Sequence, residues 1–144
     1  MHRFIVFILF SFLSLSANGE MPIIQLEVSG YNISAEVAYK KEYRIKGLMY
    51  RNTVDKNSGM LFVFPKVDYH SMWMVNTYIP LSIAFLDQEG IIINIIDMLP
   101  HTRTKNSATS KAKYALEMNL GWFSSRNIQP GKRITGLRNA PKAE

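Results

Sequence analysis

Hydrophobic and polar residues alternate in the first part of the chain that follows its apolar N terminus. Residues 24–28 alternate strictly, and a second alternation covers residues 31–37. Because successive side chains of a strand point to opposite faces, each stretch predicts a half-buried strand. The turn residues Ser29 and Gly30 separate the two stretches, so we predict an N-terminal β-hairpin.

The spacing of the apolar residues changes near residue 40. Tyr39, Tyr43 and Gly47 lie four positions apart, with charged residues between them. This pattern predicts a short helix that ends near Gly47, since glycine commonly follows the last helical residue.

Four apolar stretches with few polar positions follow. They cover residues 60–64, 71–75, 81–86 and 91–96, and the turn residues 87–90 join the last two in a hairpin. Near-continuous apolar strands indicate a sheet that is covered on both faces or curled around its own core.

The last third of the chain combines short elements with a long polar loop. The pattern predicts a loop over residues 99–110, a strand over 113–118, a short helix over 120–126 and a final strand over 132–137. Loops as long as the first of these often have a functional role. We predict a flexible tail for residues 138–144.

Together these elements predict a single α+β domain over residues 20–137. We expect a mostly antiparallel, strongly curved or barrel-like β-sheet of about eight short strands with two short helices. The chain has 144 residues, of which 47% are hydrophobic and 19% charged, and this composition is typical of one folded domain.

The first 19 residues have the pattern of a cleavable secretory signal peptide. Arg3 supplies a positive charge, an apolar run follows, and small residues occupy Ala17 and Gly19. The run of about 12 apolar residues is shorter than the roughly 17–25 that a membrane span needs. We therefore predict cleavage after Gly19, with Ala17 as the alternative, and no transmembrane segment after cleavage.

The absence of cysteine and the basic charge narrow the compartment and the partners. A chain without cysteine has no disulfides, no thiolate metal ligands and no lipoprotein-type anchor, and it is ordinary in the bacterial periplasm. We predict an exported bacterial protein, periplasmic or extracellular. The net charge of +6 comes from scattered residues, so an envelope polymer stays open as a partner, whereas export makes nucleic acid an unexpected one.

Three motifs in the middle of the chain occur in a distinctive order. They are Gly47-Leu48-Met49-Tyr50-Arg51, Gly59-Met60-Leu61-Phe62-Val63-Phe64 and Trp73-Met74-Val75-Asn76-Thr77-Tyr78-Ile79-Pro80-Leu81, with Leu116-Glu117 and Gly121 downstream. Over residues 22–137 the chain resembles the domain-of-unknown-function 192 family. The resemblance implies a small, compact, β-rich α+β fold, and this family has no established activity.

The chain departs from the family pattern at two positions. Val75 stands where the family usually has lysine, and Ser82 stands where it usually has aspartate. Any chemistry that depended on that lysine–aspartate pair is absent here.

The candidate site consists of polar and aromatic residues in or near these motifs, namely Arg44, Arg51, Trp73, Asn76, Thr77 and Glu117. Glu117 lies in an otherwise apolar strand, and a carboxylate that faces a core needs a partner. We predict Arg44 or Arg51 as that partner. On this structural interpretation the ion pair defines the fold, and Asn76 fixes a turn.

A functional interpretation places four of these residues, Arg51, Trp73, Asn76 and Glu117, around one cleft. Trp73 offers a stacking surface to a planar or apolar ligand, and arginine holds an anionic group. No catalytic motif is present. The main hypothesis is therefore a non-catalytic binding or accessory domain of the envelope, for a small ligand, a glycan or a protein partner, and no cofactor is expected.

Three alternatives stay open. One is an envelope enzyme in which Glu117 or Asp97 is the general acid or base and Arg51 stabilises negative charge. A second is a copper site formed by His70, Met72 and Met74, because thioether and imidazole ligands suit monovalent copper. Otherwise we predict no metal site. The third is an assembly role, which an exposed apolar patch on residues 91–96 would favour.

Overall fold

The computed structural model describes residues 20–144, which contain eight strands and one α-helix. In chain order these are β1 (Ile23–Val28), β2 (Tyr31–Ala38), α1 (Lys41–Lys46), β3 (Ser58–Asp68), β4 (Ser71–Met72), β5 (Leu81–Leu86), β6 (Ile92–Met98), β7 (Asn106–Ser107) and β8 (Ala112–Asn119). The predicted signal peptide lies outside the described residues and stays a prediction.

Six strands form one sheet in the order β1-β2-β3-β8-β5-β6, and the short strands β4 and β7 pair separately. All neighbours are antiparallel except β2 and β3, which are parallel. The mostly antiparallel arrangement and both predicted hairpins, β1–β2 and β5–β6, are therefore confirmed.

The helix α1 lies in the connection between the two parallel strands. Its last residue is Lys46, and it is followed by Gly47, whose backbone has a φ of 47° and whose N–H donates to the Tyr43 carbonyl at 2.8 Å. A positive φ costs a glycine little, which explains why the helix stops there. The predicted end of this helix is confirmed.

The large sheet is covered on both faces, as the apolar stretches predict. Neighbouring residues of a central strand belong to opposite cores: Leu61 packs with Leu116 in the first core, and Phe62 packs with Phe85 in the second. All four side chains are fully buried. Central strands β3, β5 and β8 therefore separate two apolar layers, and the second layer carries the candidate site.

Several predicted elements are shorter than expected. The strand over residues 71–75 is wrong beyond Met72, because Asn76 adopts a φ of 52° and the Thr77 N–H turns back to the Met74 carbonyl. Instead of a second α-helix over 120–126 there is a 3-10 turn at Ser124–Arg126, since Gly121 has a φ of 80°. A second 3-10 turn covers Leu137–Asn139.

The six-stranded sheet is not closed, so the barrel-like expectation is not confirmed. The predicted final strand over 132–137 is wrong as a strand, because its residues form only isolated bridges and Gly136, with a φ of 98°, ends the extended backbone. Isolated bridges are present in its place: Thr135 pairs with Glu27 of β1, and Arg133 pairs with Ile91 just before β6. The C-terminal segment thus contacts both edges of the open sheet.

The final residues of the chain lie against the domain. The Glu144 N–H donates to the Tyr39 carbonyl at 2.8 Å, and Ala140 and Ala143 pack on the first core. The mobility that we predict for residues 138–144 stays a prediction. Within residues 20–144, no helix is long and apolar enough to cross a membrane.

Candidate functional site

A pocket of about 230 Å³ opens beside Trp73, on the side of the sheet that carries the second core. Its lining comes from α1 and the residues after it, from β3, from the β4 region, from the loop before β7 and from β8. The lining residues are Arg44, Lys46, Gly47, Leu48, Met49, Phe62, Ser71, Met72, Trp73, Thr77, Lys105 and Glu117. A wider groove of about 720 Å³ runs along residues 133–139 and contains none of the predicted site residues.

Glu117 is the buried acidic group of this pocket. On β8 it lies opposite Met60 of β3 and Ile83 of β5, both members of the second core, and it is only 4% exposed. Burial raises the pKa of its carboxyl from 4.5 to about 8, because the ionised form loses its hydration. At neutral pH the group is therefore mostly protonated, with one O–H donor and one free acceptor oxygen.

The carboxyl of Glu117 faces the pocket and is not sealed in the core. Among the described residues, no fully enclosed side-chain oxygen or nitrogen lacks a hydrogen-bond partner. The Glu117 side chain has no hydrogen bond or ion pair to another residue in the range 20–144, so its carboxyl oxygens keep some exposure, and Glu117 lines the pocket. A ligand in the pocket can therefore reach a hydrogen-bonding group that the protein itself leaves available.

The predicted ion pair of Glu117 with an arginine is wrong. Arg44 donates to the main-chain oxygens of Tyr39 at 2.6 Å, Val63 at 3.1 Å and Glu144 at 2.6 Å. Partial burial lowers the pKa of its guanidinium, which nevertheless stays charged. The Arg44 side chain therefore lines the pocket but hydrogen-bonds to main-chain carbonyls and not to Glu117.

Arg51 lies outside the pocket and pairs with Glu36 of β2. Its two terminal nitrogens donate to the two carboxylate oxygens in a bidentate arrangement, one of them at 3.1 Å. The two side chains are 34% and 30% exposed. The pair joins the Gly47–Arg51 motif to β2, and it leaves Arg51 unavailable to a ligand beside Trp73.

We expect the Arg51–Glu36 pair to make a modest contribution to stability. In a double-mutant cycle with Arg51→Ala and Glu36→Ala, the coupling free energy should be about 0.5–1 kcal/mol, because solvent screens a pair that is one-third exposed. Urea unfolding in low and high salt measures it, and the coupling should fall in high salt. A coupling above about 3 kcal/mol, as in fully buried pairs, would contradict this description.

The remaining predicted residues divide between the pocket and its support. Trp73 is 50% exposed and lines the pocket, with the Arg103 guanidinium carbon 6.0 Å from its ring centroid. Thr77 also lines the pocket, and its hydroxyl donates to the Val75 carbonyl at 3.1 Å. The predicted cleft therefore contains Trp73 and Glu117.

Asn76 lies beside the pocket and connects the Trp73–Leu81 motif to the Gly47–Arg51 motif by hydrogen bonds. Its side-chain amide donates to the Tyr50 hydroxyl at 2.9 Å, and its main-chain oxygen accepts the Tyr50 N–H at 2.9 Å. Both residues have a positive φ, which tightly held loops tolerate. This geometry fits the structural interpretation of Asn76, which is not among the lining residues.

The three residues of the copper hypothesis are not brought together around one point. The His70 ring stacks on Phe64 with 3.8 Å between centroids, and its Nε2 lies 2.7 Å from the Lys66 carbonyl oxygen. Met74 is fully buried in the second core, whereas Met72 lines the pocket. Residues 20–144 also contain no cluster of three or more His, Asp or Glu side chains that could hold a metal ion.

The second acidic candidate, Asp97, lies outside the pocket. It is exposed on β6 and accepts a hydrogen bond at 2.7 Å from Ser82, whose hydroxyl also accepts the Gly121 N–H at 2.9 Å. A carboxylate therefore lies next to position 82 although that residue is serine here. The enzyme hypothesis requires an acidic residue and Arg51 to face one cleft. Glu117 lines the pocket, but Asp97 and Arg51 do not.

Strand β6 does not present the apolar patch that an assembly role would favour. Ile92 is buried, and Ile93, Ile95 and Ile96 are half-buried against the cores. The exposed large apolar side chains of the described part of the chain lie elsewhere.

The sequence interpretation missed much of the pocket lining and the partner of Arg51. Lys46, Phe62 and Met49 lie in or next to the motifs, so the motifs were a signal for them. Lys105 comes from the long polar loop over residues 99–110, whose length was its only signal. Nothing in the sequence marked Glu36 as the partner of Arg51, because acidic residues are common on half-buried strands.

Comparison with known proteins supports the resemblance seen in the motifs. The DUF192 family model, described as "Uncharacterized ACR", matches residues 24–136. A crystal structure of a candidate transcription regulator from Sinorhizobium meliloti is 31% identical, with a TM-score of 0.79, covering 81% of this chain and 95% of that one. A protein of unknown function from Novosphingobium aromaticivorans is 30% identical, with a TM-score of 0.75, covering 78% and 84%. No curated protein matches the chain.

Proposed function

The chain belongs to the DUF192 family, and from this premise we propose that its domain binds a small, largely apolar ligand in the pocket beside Trp73. The observation that carries the proposal is the carboxyl of Glu117, which is buried, has no partner among the described residues and faces the pocket. Burying a polar group without a hydrogen bond costs free energy, and a ligand that hydrogen-bonds to this carboxyl would offset that cost.

The lining of the pocket supports a ligand with a planar or apolar body. Leu48, Phe62, Met72 and Trp73 contribute apolar surface, and Glu117 and Thr77 are the polar groups in the interior. An engineered cavity of about 150 Å³ binds benzene. A pocket of about 230 Å³ therefore has room for one ring with a short substituent.

Binding fits the geometry better than catalysis. A general base must reach its substrate and be ionised, whereas the Glu117 carboxyl is mostly protonated at neutral pH because its pKa is about 8. Arg51 is engaged with Glu36 and cannot stabilise negative charge in this pocket. A protonated carboxyl is well suited to hydrogen-bond a ligand and hold its orientation.

A fragment screen tests the binding proposal directly. Ligand-observed NMR with aromatic fragments should detect binding to residues 20–144, and protein-observed spectra should locate it by chemical-shift changes at the Trp73 indole N–H. Met49→Trp places a larger side chain in the pocket and should weaken binding about tenfold or more. The control is Ile45→Trp, since Ile45 is 64% exposed and not a lining residue. Equal affinities in the two variants would contradict the proposed site.

We further propose that this binding domain acts in the bacterial envelope. The support is the N-terminal pattern of the sequence, with Arg3, an apolar run and small residues up to Gly19. When the full chain is expressed in a Gram-negative bacterium, the protein released by osmotic shock should begin at Glu20. N-terminal sequencing measures this. A protein that starts at Met1 in the soluble fraction of lysed cells would overturn the proposal.

A further inference from the structure

We infer that the ligand of the Glu117 pocket is an organic anion, whose apolar ring packs against Phe62 and Trp73 and whose negative group faces Lys46 and Lys105. This inference rests on the proposed binding function and names the chemical class of the ligand. It follows from the charges that line the pocket, from their positions and from the absence of side-chain partners for the two lysines among the described residues.

The first observation is an excess of positive charge. Arg44, Lys46 and Lys105 line the pocket, and Glu117 is the only acidic lining residue. In the described part of the chain the ion pairs are Arg51–Glu36 and Arg133–Glu89. None of the three cations forms an ion pair with a carboxylate side chain of residues 20–144, and the side chains of Lys46 and Lys105 make no hydrogen bond to another described residue.

The second observation is where the charges lie. Lys46 ends α1 and Lys105 precedes β7, and both side chains are exposed, whereas Phe62 and Glu117 are buried. The lysines therefore stand at the opening and the apolar surface lies within. A positively charged opening over a low-dielectric interior attracts anions and orients them with the charge outward.

The third observation concerns Glu117, the one group that could favour a cationic ligand. Burial keeps its carboxyl mostly protonated at neutral pH, so it does not repel an anion and can donate a hydrogen bond to an oxygen of the ligand. An amine would have to ionise this buried carboxyl while passing two lysines. The charges of the pocket therefore favour the anion over the amine.

Three probes of similar shape and different charge test the inference. Isothermal titration of residues 20–144 with phenylacetate, phenylacetamide and phenethylamine at pH 7 should give the tightest binding for phenylacetate. The double variant Lys46→Gln/Lys105→Gln should weaken phenylacetate binding about threefold to tenfold, the range expected for two exposed ion pairs. High salt should weaken it as well.

A matched double variant separates a local from a general charge effect. Lys111→Gln/Lys132→Gln removes the same charge from two exposed lysines outside the pocket and should leave phenylacetate binding unchanged within twofold. If phenethylamine binds most tightly, or all three probes bind equally, the anion inference is overturned while the binding function stands. If no probe binds and the fragment screen also finds no binding, both the anion inference and the proposed binding function are overturned.

Discussion

Replacing Glu117 with glutamine is expected to stabilise the protein by about 4 kcal/mol above pH 8, while leaving its stability nearly unchanged below pH 4.5. The folded protein raises the pKa of this carboxyl to about 8, whereas the unfolded chain has the ordinary value of 4.5. The folded state therefore holds a proton that the unfolded state releases between these two pH values, and that difference makes folding less favourable as the pH rises.

The sign of this effect is the reverse of that for a carboxylate in a salt bridge. The unfolding free energy of the wild type should be highest below pH 4.5, fall steadily to about pH 8 and then level off with respect to this group. Glutamine has no charge to lose, so the variant should lack this part of the fall. Urea unfolding at several pH values from 4 to 9 measures both curves.

Glu42→Gln is the matched control, because Glu42 is an exposed glutamate on α1. That variant should follow the wild-type curve at every pH. If Glu117→Gln also follows the wild-type curve, Glu117 is not a buried acid with a raised pKa, and the pocket loses the protonated carboxyl on which the ligand argument depends.

Replacing Gly59 with alanine is expected to destabilise the fold by about 3 kcal/mol or more, because there is no room for a methyl group at this point. Gly59 of β3 pairs with Met118 of β8, and a Cβ at position 59 would lie less than 3.0 Å from the Glu117 main-chain oxygen and the Met118 sulfur. The backbone oxygen cannot move without disturbing the pairing of the two central strands.

Gly131→Ala distinguishes this contact from a general cost of losing glycine. A Cβ at Gly131 would meet nothing within 4 Å, although its φ of 95° makes alanine unfavourable there by about 1 kcal/mol. Urea unfolding should therefore show a clearly larger loss for Gly59→Ala. Equal losses would mean that β3 and β8 are less closely packed than described. Because Gly59 contacts the main chain of Glu117, its substitution should also weaken ligand binding.

The sequence predicts most of the fold where the signal is local. The two hairpins depend on alternation next to turn residues, and the end of α1 depends on Gly47, so neighbouring residues alone contain the information. The apolar runs also predict correctly that the central strands are covered on both faces. The parallel pairing of β2 with β3 has no local signal, because it joins residues on either side of a long connection.

The site was predictable in part. Glu117 was predicted because it is an acidic residue in an apolar strand, and Trp73 because it belongs to an unusual aromatic motif. Both residues line one pocket in the structure. The lack of an arginine partner for Glu117 was not predictable, because the sequence does not say which acceptors each arginine can reach. Arg51 pairs with Glu36 of β2, and Arg44 donates to main-chain carbonyls. Residues 73–75 resemble a strand because they form an apolar run, but the turn at Asn76 is a tertiary effect.

The C-terminal segment that contacts both edges of the sheet has a consequence for how copies of this protein behave at high concentration. An open sheet leaves unpaired N–H and C=O groups on its outer strands, and these are templates for a strand of another molecule. Thr135 exchanges hydrogen bonds with Glu27 on β1, and residues 131 and 132 pair with Ile92 of β6. The same short segment therefore occupies part of both outer edges, and we expect it to hinder edge-to-edge aggregation.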